Sequence, residues 1–251
     1  MENQLPQSKD HESTNYSFEN FVQGDCNIEA RRIGLHITTQ LWRDVNPLIV
    51  QSDVGLGKTH LVHAIYNQLR HQWFGDNHLF IGAENFHIQI SDALRKNKMT
   101  NIVDHFLKFK AIIIDDLHFL EKKYSTQNVL LEIHNNIAFR RMRMIYASRY
   151  LPEELSDFDP DLITRLMQGV TVSLLKPNFE TRLEILKKMV CDGHFKIPEN
   201  VLAEIAQYEL HNVRDLGWVL LLIWKETHAS NKDVDIAGAR SVISSYLKGK
   251  K

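Results

Sequence analysis

Residues 47–59 read Pro47-Leu48-Ile49-Val50-Gln51-Ser52-Asp53-Val54-Gly55-Leu56-Gly57-Lys58-Thr59. The short apolar run at residues 47–50 predicts a buried strand, and a helix is predicted from Thr59 to about Gln72. A glycine-containing turn between a strand and a helix is the setting of the phosphate-binding loop, whose pattern is G-x-x-x-x-G-K-[ST]. The sequence departs from this pattern at one position, because Ser52 replaces the first glycine. We therefore predict a site for nucleotide phosphates here.

Each residue type in this loop has a chemical reason to be there. Gly55 and Gly57 let the backbone curl until its N–H groups converge on phosphate oxygens, and the following helix adds the positive end of its dipole. Lys58 is predicted to place its ammonium between the β- and γ-phosphates, and Thr59 to offer its hydroxyl to Mg²⁺. The expected ligands are therefore ATP or ADP together with Mg²⁺. The predicted phosphate-binding residues are Val54, Gly55, Leu56, Gly57, Lys58 and Thr59.

Two adjacent carboxylates, Asp115 and Asp116, follow the apolar strand Ile112-Ile113-Ile114. They repel each other unless a cation or a proton separates them, and open parallel sheets bind ligands at the carboxyl ends of their strands. Asp115 is predicted to hold Mg²⁺, directly or through water, and Asp116 to orient or deprotonate the attacking water. An Asp-Asp pair also ends many strands as a turn or a helix cap. Its position downstream of a phosphate-loop lysine favours the catalytic interpretation.

Strands and helices alternate up to Pro177, and only helices are predicted after it. This alternation is typical of a parallel sheet with helices on both faces. We therefore predict an α/β domain with a five-stranded parallel sheet at residues 16–176, followed by a smaller all-α domain at residues 177–251. The predicted strands are 47–50, 79–81, 110–114, 144–147 and 169–172, and the predicted helices are 27–42, 59–72, 85–97, 101–108, 125–138, 180–190, 199–209, 212–230 and 235–247.

The composition is that of a globular protein. Of 251 residues, 43% are hydrophobic and 24% are charged, which excludes collagen-like, mucin-like and wholly disordered chains. The formal net charge of -1 excludes a global positive field, so nucleic acid would need a local basic patch. Two cysteines cannot form a disulfide framework or a four-thiolate zinc site.

The sequence also indicates where the chain resides. Its apolar runs fall well short of the roughly 20 residues that span a bilayer. Residues 1–15 are polar and of mixed charge, so we expect a disordered tail rather than a signal peptide. A cytoplasmic location without membrane contact follows as an expectation.

Five ordered motifs resemble the AAA+ ATPase core of the bacterial DnaA family of replication initiators. The segments are Gly55–Ile65, similar to GLGKTHLxHAI; Ile114–Leu120, similar to IDDIQFL; Tyr16–Gly24, similar to YTFDNFVVG; Glu180–Leu186, which matches ETRxxIL; and Asn212–Leu216, similar in part to NVRELEG. The resemblance extends from Tyr16 to about Leu247, which is nearly the whole folded part of the chain.

This resemblance implies a P-loop AAA+ fold with a helical lid and assigns roles to further residues. The segment that contains Phe21 flanks the adenine in the family, and His60 continues the phosphate-loop motif, so both are expected at the nucleotide. Arg165 matches the arginine finger that reaches the ATP of a neighbouring subunit. Arg214 matches the lid arginine, termed sensor 2, that contacts phosphate from the same subunit. Both arginine roles suit a guanidinium, since its fixed positive fork stabilises charge that spreads over the γ-phosphate.

The sequence also departs from the family pattern. Besides Ser52, the run Ala147-Ser148-Arg149-Tyr150 carries Arg149 where the family has the acid of sensor 1, and Gly217-Trp218 replaces Glu-Gly after sensor 2. An arginine can contact phosphate but cannot orient water as a carboxylate does. We therefore expect nucleotide binding, with weak or partner-stimulated ATP hydrolysis rather than fast turnover.

The resemblance implies partners and leaves the role open. The domain content is most similar to the short DnaA-related regulators of the Hda type, which act with the sliding clamp. We expect assembly with DnaA or other AAA+ subunits and action in replication initiation or its regulation, through an ATP-dependent assembly switch. A loader that delivers the replicative helicase and a non-hydrolysing adaptor with a bound nucleotide are the alternatives.

A basic cluster offers one further interpretation. Arg140, Arg141 and Arg143, with Arg149 expected nearby, would give a weak contact to single-stranded DNA through phosphates. A solvated helix end before a strand is the alternative explanation.

Overall fold

The computed structural model describes residues 16–39, 46–72, 77–96, 99–210, 212–230 and 235–249. The tail expected at residues 1–15 lies outside these ranges. Within the described residues the chain divides into two compact units. Of these described residues, the first unit takes those in 16–21, 29–53 and 58–174, and the second takes those in 22–28, 54–57 and 175–249. The predicted domain limits, 16–176 and 177–251, stay predictions, and the sequence did not indicate that residues 22–28 and 54–57 group with the second unit.

The first unit is built on a five-stranded parallel sheet, as predicted. Its order is β2-β3-β4-β1-β5, with β1 paired to β4 and β5, and β3 paired to β2 and β4. Each predicted strand is found within one residue at either end. The strands are β1 (Leu48–Gln51), β2 (His78–Gly82), β3 (Ala111–Asp115), β4 (Arg143–Ser148) and β5 (Val170–Ser173).

Helices connect these strands and make up the second unit. The first unit contains α1 (Ile28–Ile37) from its second residue on, α2 (Lys58–Gln72), α3 (Ala83–Arg95), α4 (Met99–Phe106), α5 (Tyr124–Arg140) and α6 (Pro160–Met167). The second unit contains α7 (Phe179–Gly193), α8 (Glu199–Gln207), α9 (Val213–Ser230) and α10 (Ile236–Gly249). Short 3₁₀ turns at Leu117–Leu120 and Pro152–Glu154 were not predicted. The prediction of a first helix to residue 42 was wrong, because that helix ends at Ile37 and the Thr38 hydroxyl turns back to donate to the Leu35 carbonyl at 2.6 Å.

Helix α6 is the main element that the sequence analysis missed. No helix was predicted between the fourth and fifth strands, yet this segment forms α6 and carries Arg165. The signal was present, since Asp159 is a good N-cap and Pro160 suits the first helical position. The Asp159 carboxylate accepts from the N–H groups of Asp161 at 2.8 Å and Leu162 at 3.3 Å. The cap therefore fixes where the helix begins.

Burial shows that both faces of the sheet are covered. All five residues of β3 are buried, as expected for a parallel strand between two layers. On β4 the Tyr146 hydroxyl lies 2.6 Å from Nε2 of His134 on α5, and both side chains are buried. Burial lowers the pKa of His134 to about 4, so its imidazole is neutral at neutral pH and the pair stays uncharged. The second unit has its own apolar core, formed by α7 to α10 and including Leu186, Ile205 and Ile223.

The cap of α6 gives a prediction for stability. Asp159→Ala leaves two N–H groups at the helix start without their acceptor, and we expect a loss of about 1 kcal/mol in the free energy of unfolding. Urea unfolding followed by circular dichroism measures this change. The control is Asp161→Ala, which removes an exposed carboxylate in the same turn and should cost less than half as much. Equal losses for the two variants would contradict the capping role.

Candidate functional site

The phosphate loop runs from the end of β1 to the start of α2, as predicted. Gly55 and Gly57 have φ angles of +79° and +104°, which side chains with a Cβ rarely tolerate. A Cβ at Gly55 would also lie 2.7 Å from Cγ of Asn212. The two glycines are therefore required by the backbone that the loop adopts.

Lys58 is the first residue of α2, and its ammonium is buried in this loop. The side chain is 7% exposed, and Nζ donates to the Ser52 carbonyl, to Ser52 Oγ at 3.2 Å and to the Asp53 carbonyl at 2.9 Å. Burial lowers the pKa of Lys58, and the carboxylates of Asp116 and Asp115 oppose this shift. The ammonium thus points into the strand-to-helix turn where phosphates are predicted.

Ser52 has a definite place in this arrangement, although the pattern marked it only as a departure. It is 1% exposed, its N–H donates to the Ser148 carbonyl at 3.2 Å, and its hydroxyl donates to the Asp53 carbonyl at 2.9 Å. The Ser52 hydroxyl therefore accepts a hydrogen bond from Lys58 and at the same time donates one to the Asp53 carbonyl. Sequence reasoning could not find this role, because it depends on the three-dimensional approach of Lys58.

The two predicted magnesium ligands lie next to each other. The Thr59 hydroxyl donates to Asp115 Oδ2 at 3.0 Å, and Asp115 Oδ1 accepts from the Asp116 N–H at 3.0 Å. Burial raises the pKa of Asp115 and the negative charge of Asp116 raises it further, whereas the Thr59 hydrogen bond lowers it. One hydroxyl and one carboxylate suit Mg²⁺, which takes few protein oxygens and completes its shell with water and phosphate.

Asp116 differs from its neighbour in exposure and in backbone. Its side chain is exposed and its φ angle is +58°, in the left-handed region. Asp and Asn are the side chains that accept this region best after glycine. The carboxylate is therefore accessible at the carboxyl edge of the sheet, where the sequence predicted a catalytic acid.

The fourth strand ends at the same edge of the sheet. Ser148 is fully buried and its Oγ accepts from the Tyr150 N–H at 3.1 Å. Arg149 is exposed, with its guanidinium carbon 5.6 Å from the centroid of the Tyr150 ring, and its carbonyl accepts from Gln51 at 2.9 Å. The positive charge of Arg149 contributes to the lowered pKa of Lys58. Position 149 thus adds positive charge near Lys58, and a contact of Arg149 with phosphate stays a prediction.

The prediction that Arg149 lies near the basic cluster of Arg140, Arg141 and Arg143 was wrong. Arg143 begins β4 and Arg149 follows its end, so a strand of six residues separates them by about 20 Å. Two residues at the two ends of one strand lie at opposite edges of the sheet, even when they are close in sequence. Arg143 also donates to the Thr39 carbonyl at 3.0 Å. The weak contact to single-stranded DNA stays a prediction, without Arg149 in the cluster of Arg140, Arg141 and Arg143.

Arg165, which is predicted to act in trans, and Arg214, which is predicted to act from the lid, are both exposed. Arg165 lies in the last turn of α6, where Nη1 donates to Gln168 Oε1 at 3.4 Å. Arg214 is the second residue of α9, and the preceding Val213 N–H donates to the Gly55 carbonyl at 3.0 Å. Helix α9 therefore begins at the glycine of the loop, within the second unit.

Helix α2 contacts Phe21, the residue that is predicted to lie near the base. Phe21 is 7% exposed, and its ring meets that of His60 edge-on at 5.1 Å. His60 was predicted as a nucleotide-site residue on the loop motif alone. Its Nε2 lies 3.2 Å from the Ser17 carbonyl and 2.9 Å from Asn20 Oδ1, so the structure places its hydrogen bonds on the segment before Phe21.

Comparison with known proteins agrees with this geometry. The family model of the bacterial DnaA ATPase domain matches residues 13–173. The chromosomal replication initiator protein DnaA of Flavobacterium psychrophilum is 30% identical over 240 residues, which are 95% of this chain and 50% of that protein. The chain thus spans about half the length of this relative.

Solved structures extend the comparison to the fold. Domain III of the replication initiation protein DnaA from Thermotoga maritima superposes with a TM-score of 0.85 at 28% identity, covering 97% of this chain and 100% of that one. AMPPCP-bound DnaA from Aquifex aeolicus gives a TM-score of 0.75 at 25% identity, covering 83% of this chain and 64% of that one. Across the described residues, every helix is too short or too polar to cross a bilayer. The chain therefore belongs to the family of the bacterial DnaA ATPase domain and has its α/β AAA+ fold.

Proposed function

We propose that this chain binds ATP or ADP with Mg²⁺ at residues 54–59 and uses the nucleotide as an assembly switch. The observation that carries the proposal is the 3.0 Å hydrogen bond between Thr59 and Asp115, beside the buried ammonium of Lys58. A hydroxyl, a carboxylate and an ammonium at the mouth of a parallel sheet provide for a metal ion and for phosphate. The relative from Aquifex aeolicus, solved with the ATP analogue AMPPCP, supports the nucleotide class.

The proposed chemistry assigns one task to each side chain. Residues 54–57 offer backbone N–H groups to phosphate, Lys58 supplies positive charge, and Thr59 and Asp115 hold Mg²⁺. When bound, Mg²⁺ neutralises charge that develops on the phosphate oxygens. Asp116, exposed at the same edge, orients the attacking water or accepts its proton.

Two arginines complete the proposed machinery. Arg214 contacts phosphate from the start of α9, a position supported by the hydrogen bond between the adjacent Val213 and Gly55. Arg165 acts in trans, and its exposure on α6 supports this role. Since Arg149 replaces an acid that would help to orient water, we propose a weak or partner-stimulated ATPase. Phe21 is proposed to lie against the adenine.

The proposed biological role is in initiation of bacterial chromosomal replication or in its regulation. Membership of the DnaA family favours this role over that of a helicase loader or a non-hydrolysing adaptor. The proposed partners are DnaA or other AAA+ subunits, with the sliding clamp, the replicative helicase and single-stranded DNA as further candidates. A cytoplasmic location is part of this proposal.

The first test concerns Lys58. Lys58→Ala removes the positive charge from the loop, and we expect Mg·ATP affinity to fall about 10-fold or more, or about 1.4 kcal/mol. Isothermal titration calorimetry measures the change. Lys188→Ala is the control, because Lys188 makes only a partly exposed ion pair with Asp192 on α7 and should leave affinity unaltered. Wild-type affinity in Lys58→Ala would refute the phosphate-loop assignment.

A second test separates the contribution of Mg²⁺ to the binding affinity from that of the nucleotide. Thr59→Val keeps the shape of the side chain but lacks the hydroxyl that bonds to Asp115, so the gain in ATP affinity on adding Mg²⁺ should fall about 10-fold. Titrations with excess Mg²⁺ and with excess EDTA measure that gain. Affinity in EDTA should be nearly that of the wild type. A variant with the full magnesium effect would remove Thr59 from the metal site.

The third test asks whether Arg165 acts in trans. Arg165→Ala should bind ATP normally but lose stimulated hydrolysis by on the order of 10-fold or more, a cautious figure beside the 10³–10⁵ of known arginine fingers. Hydrolysis is assayed for each variant alone, with added DnaA, and for Arg165→Ala mixed with Asp116→Asn. In a self-assembly the Asp116→Asn subunit lends its finger, so mixing should restore part of the activity. If stimulated hydrolysis is unaltered in Arg165→Ala, Arg165 is a surface cation with no role in trans.

A further inference from the structure

The Lys58 ammonium has an acceptor in the loop for each of its three N–H donors. Nζ donates to the Ser52 carbonyl, to Ser52 Oγ at 3.2 Å and to the Asp53 carbonyl at 2.9 Å. An ammonium has three donors and no acceptor, so these three hydrogen bonds use its full capacity. A phosphate that binds to Lys58 must therefore take the place of at least one of these acceptors.

One of the three acceptors belongs to a side chain. The carbonyls of Ser52 and Asp53 are main-chain groups, whereas the hydroxyl is present only because position 52 is a serine. Since lysine can only donate, Ser52 Oγ accepts from Nζ, and the proton of the hydroxyl is directed to the Asp53 carbonyl at 2.9 Å. The glycine of the phosphate-loop pattern would leave the ammonium with two acceptors for three donors. The serine therefore supplies the third acceptor.

The surroundings hold the serine in this position. Ser52 is 1% exposed, and its N–H donates to the Ser148 carbonyl at the end of β4 at 3.2 Å. Because Lys58 is also buried, water has little access to the bond between the two side chains and does not readily replace it. Unlike Gly55 and Gly57, Ser52 does not have a positive φ angle, so its side chain adds no backbone strain. The hydroxyl is thus a fixed partner of the ammonium.

We infer that Ser52 is a positioning residue that competes with phosphate for the Lys58 ammonium and lowers the affinity of the loop for Mg·ATP, an inference that rests on the proposed function. Its hydroxyl occupies the N–H donor that a glycine would leave for the ligand. Because a hydrogen bond is then exchanged rather than gained, the net attraction between Lys58 and phosphate is smaller. A nucleotide that is held less tightly dissociates faster, which suits an assembly switch.

The test measures the Mg·ATP affinity of Ser52→Ala by calorimetry. This change removes the hydroxyl and leaves both main-chain acceptors, so we expect the affinity to rise about 5-fold. The same rise is expected for inorganic triphosphate with Mg²⁺, which lacks a base and a ribose, because the effect acts through phosphate. Thr126→Val is the control and should leave both affinities unaltered. It removes an equally buried hydroxyl, which lies 2.7 Å from Nδ1 of His87 on α3.

A double variant shows whether the effect passes through Lys58. Lys58→Ala lacks the ammonium, so adding Ser52→Ala to it should change Mg·ATP affinity less than about 2-fold. Thermal unfolding shows whether each variant is folded, and Ser52→Gly, which frees the same donor, replaces Ser52→Ala if that variant is not. Unchanged or lower affinity without the hydroxyl, or a rise that persists in Lys58→Ala, would each overturn the inference. Absence of Mg·ATP binding in the wild type would instead refute the proposed function.

Discussion

The site depends on the parallel alignment of three neighbouring strands. β1, β4 and β3 are adjacent and parallel, so their carboxyl ends reach the same edge of the sheet. That edge brings together the loop after β1, Ser148 at the end of β4 and Asp115 at the end of β3. The hydrogen bond from Thr59 to Asp115 spans residues that are 56 positions apart in the chain. An antiparallel strand in this position would have sent one of these groups to the opposite edge.

The same edge of the sheet buries two charged side chains, Lys58 and Asp115. The Lys58 ammonium and the Asp115 carboxylate are both withdrawn from water, which disfavours the charged form of each. Hydrogen bonds from Lys58 to Ser52 and Asp53, and from Thr59 to Asp115, compensate part of this cost. The ammonium has three N–H donors and three acceptors in the loop, so at least one of these hydrogen bonds would be exchanged when a phosphate binds. The Ser52 hydroxyl is one of these three acceptors.

Much of the fold could be predicted from the sequence, because strands that are buried on both faces read as continuous apolar runs. The mostly buried strands β1, β3 and β4 were found in this way, and the less buried β2 and β5 from short runs with β-branched or aromatic residues. The loop after β1 and the acidic end of β3 were found from their motifs. Helix α6 was missed since its start is marked by the N-cap Asp159 and by Pro160, which a search for apolar runs does not detect. The part played by Ser52, the separation of Arg149 from Arg143 and the hydrogen bonds of His60 depend on which residues meet in space. No local pattern contains that information.

The left-handed backbone at position 116 restricts which acid can occupy it. With φ at +58°, glycine, asparagine and aspartate are the favoured residues, while a β-branched side chain is strained. A glutamate would bring its carboxylate one methylene further out and would disfavour the turn that presents it. The main chain therefore favours an acid of short reach at this position. Position 149, at the same edge of the sheet, has no left-handed backbone and is therefore open to more residue types.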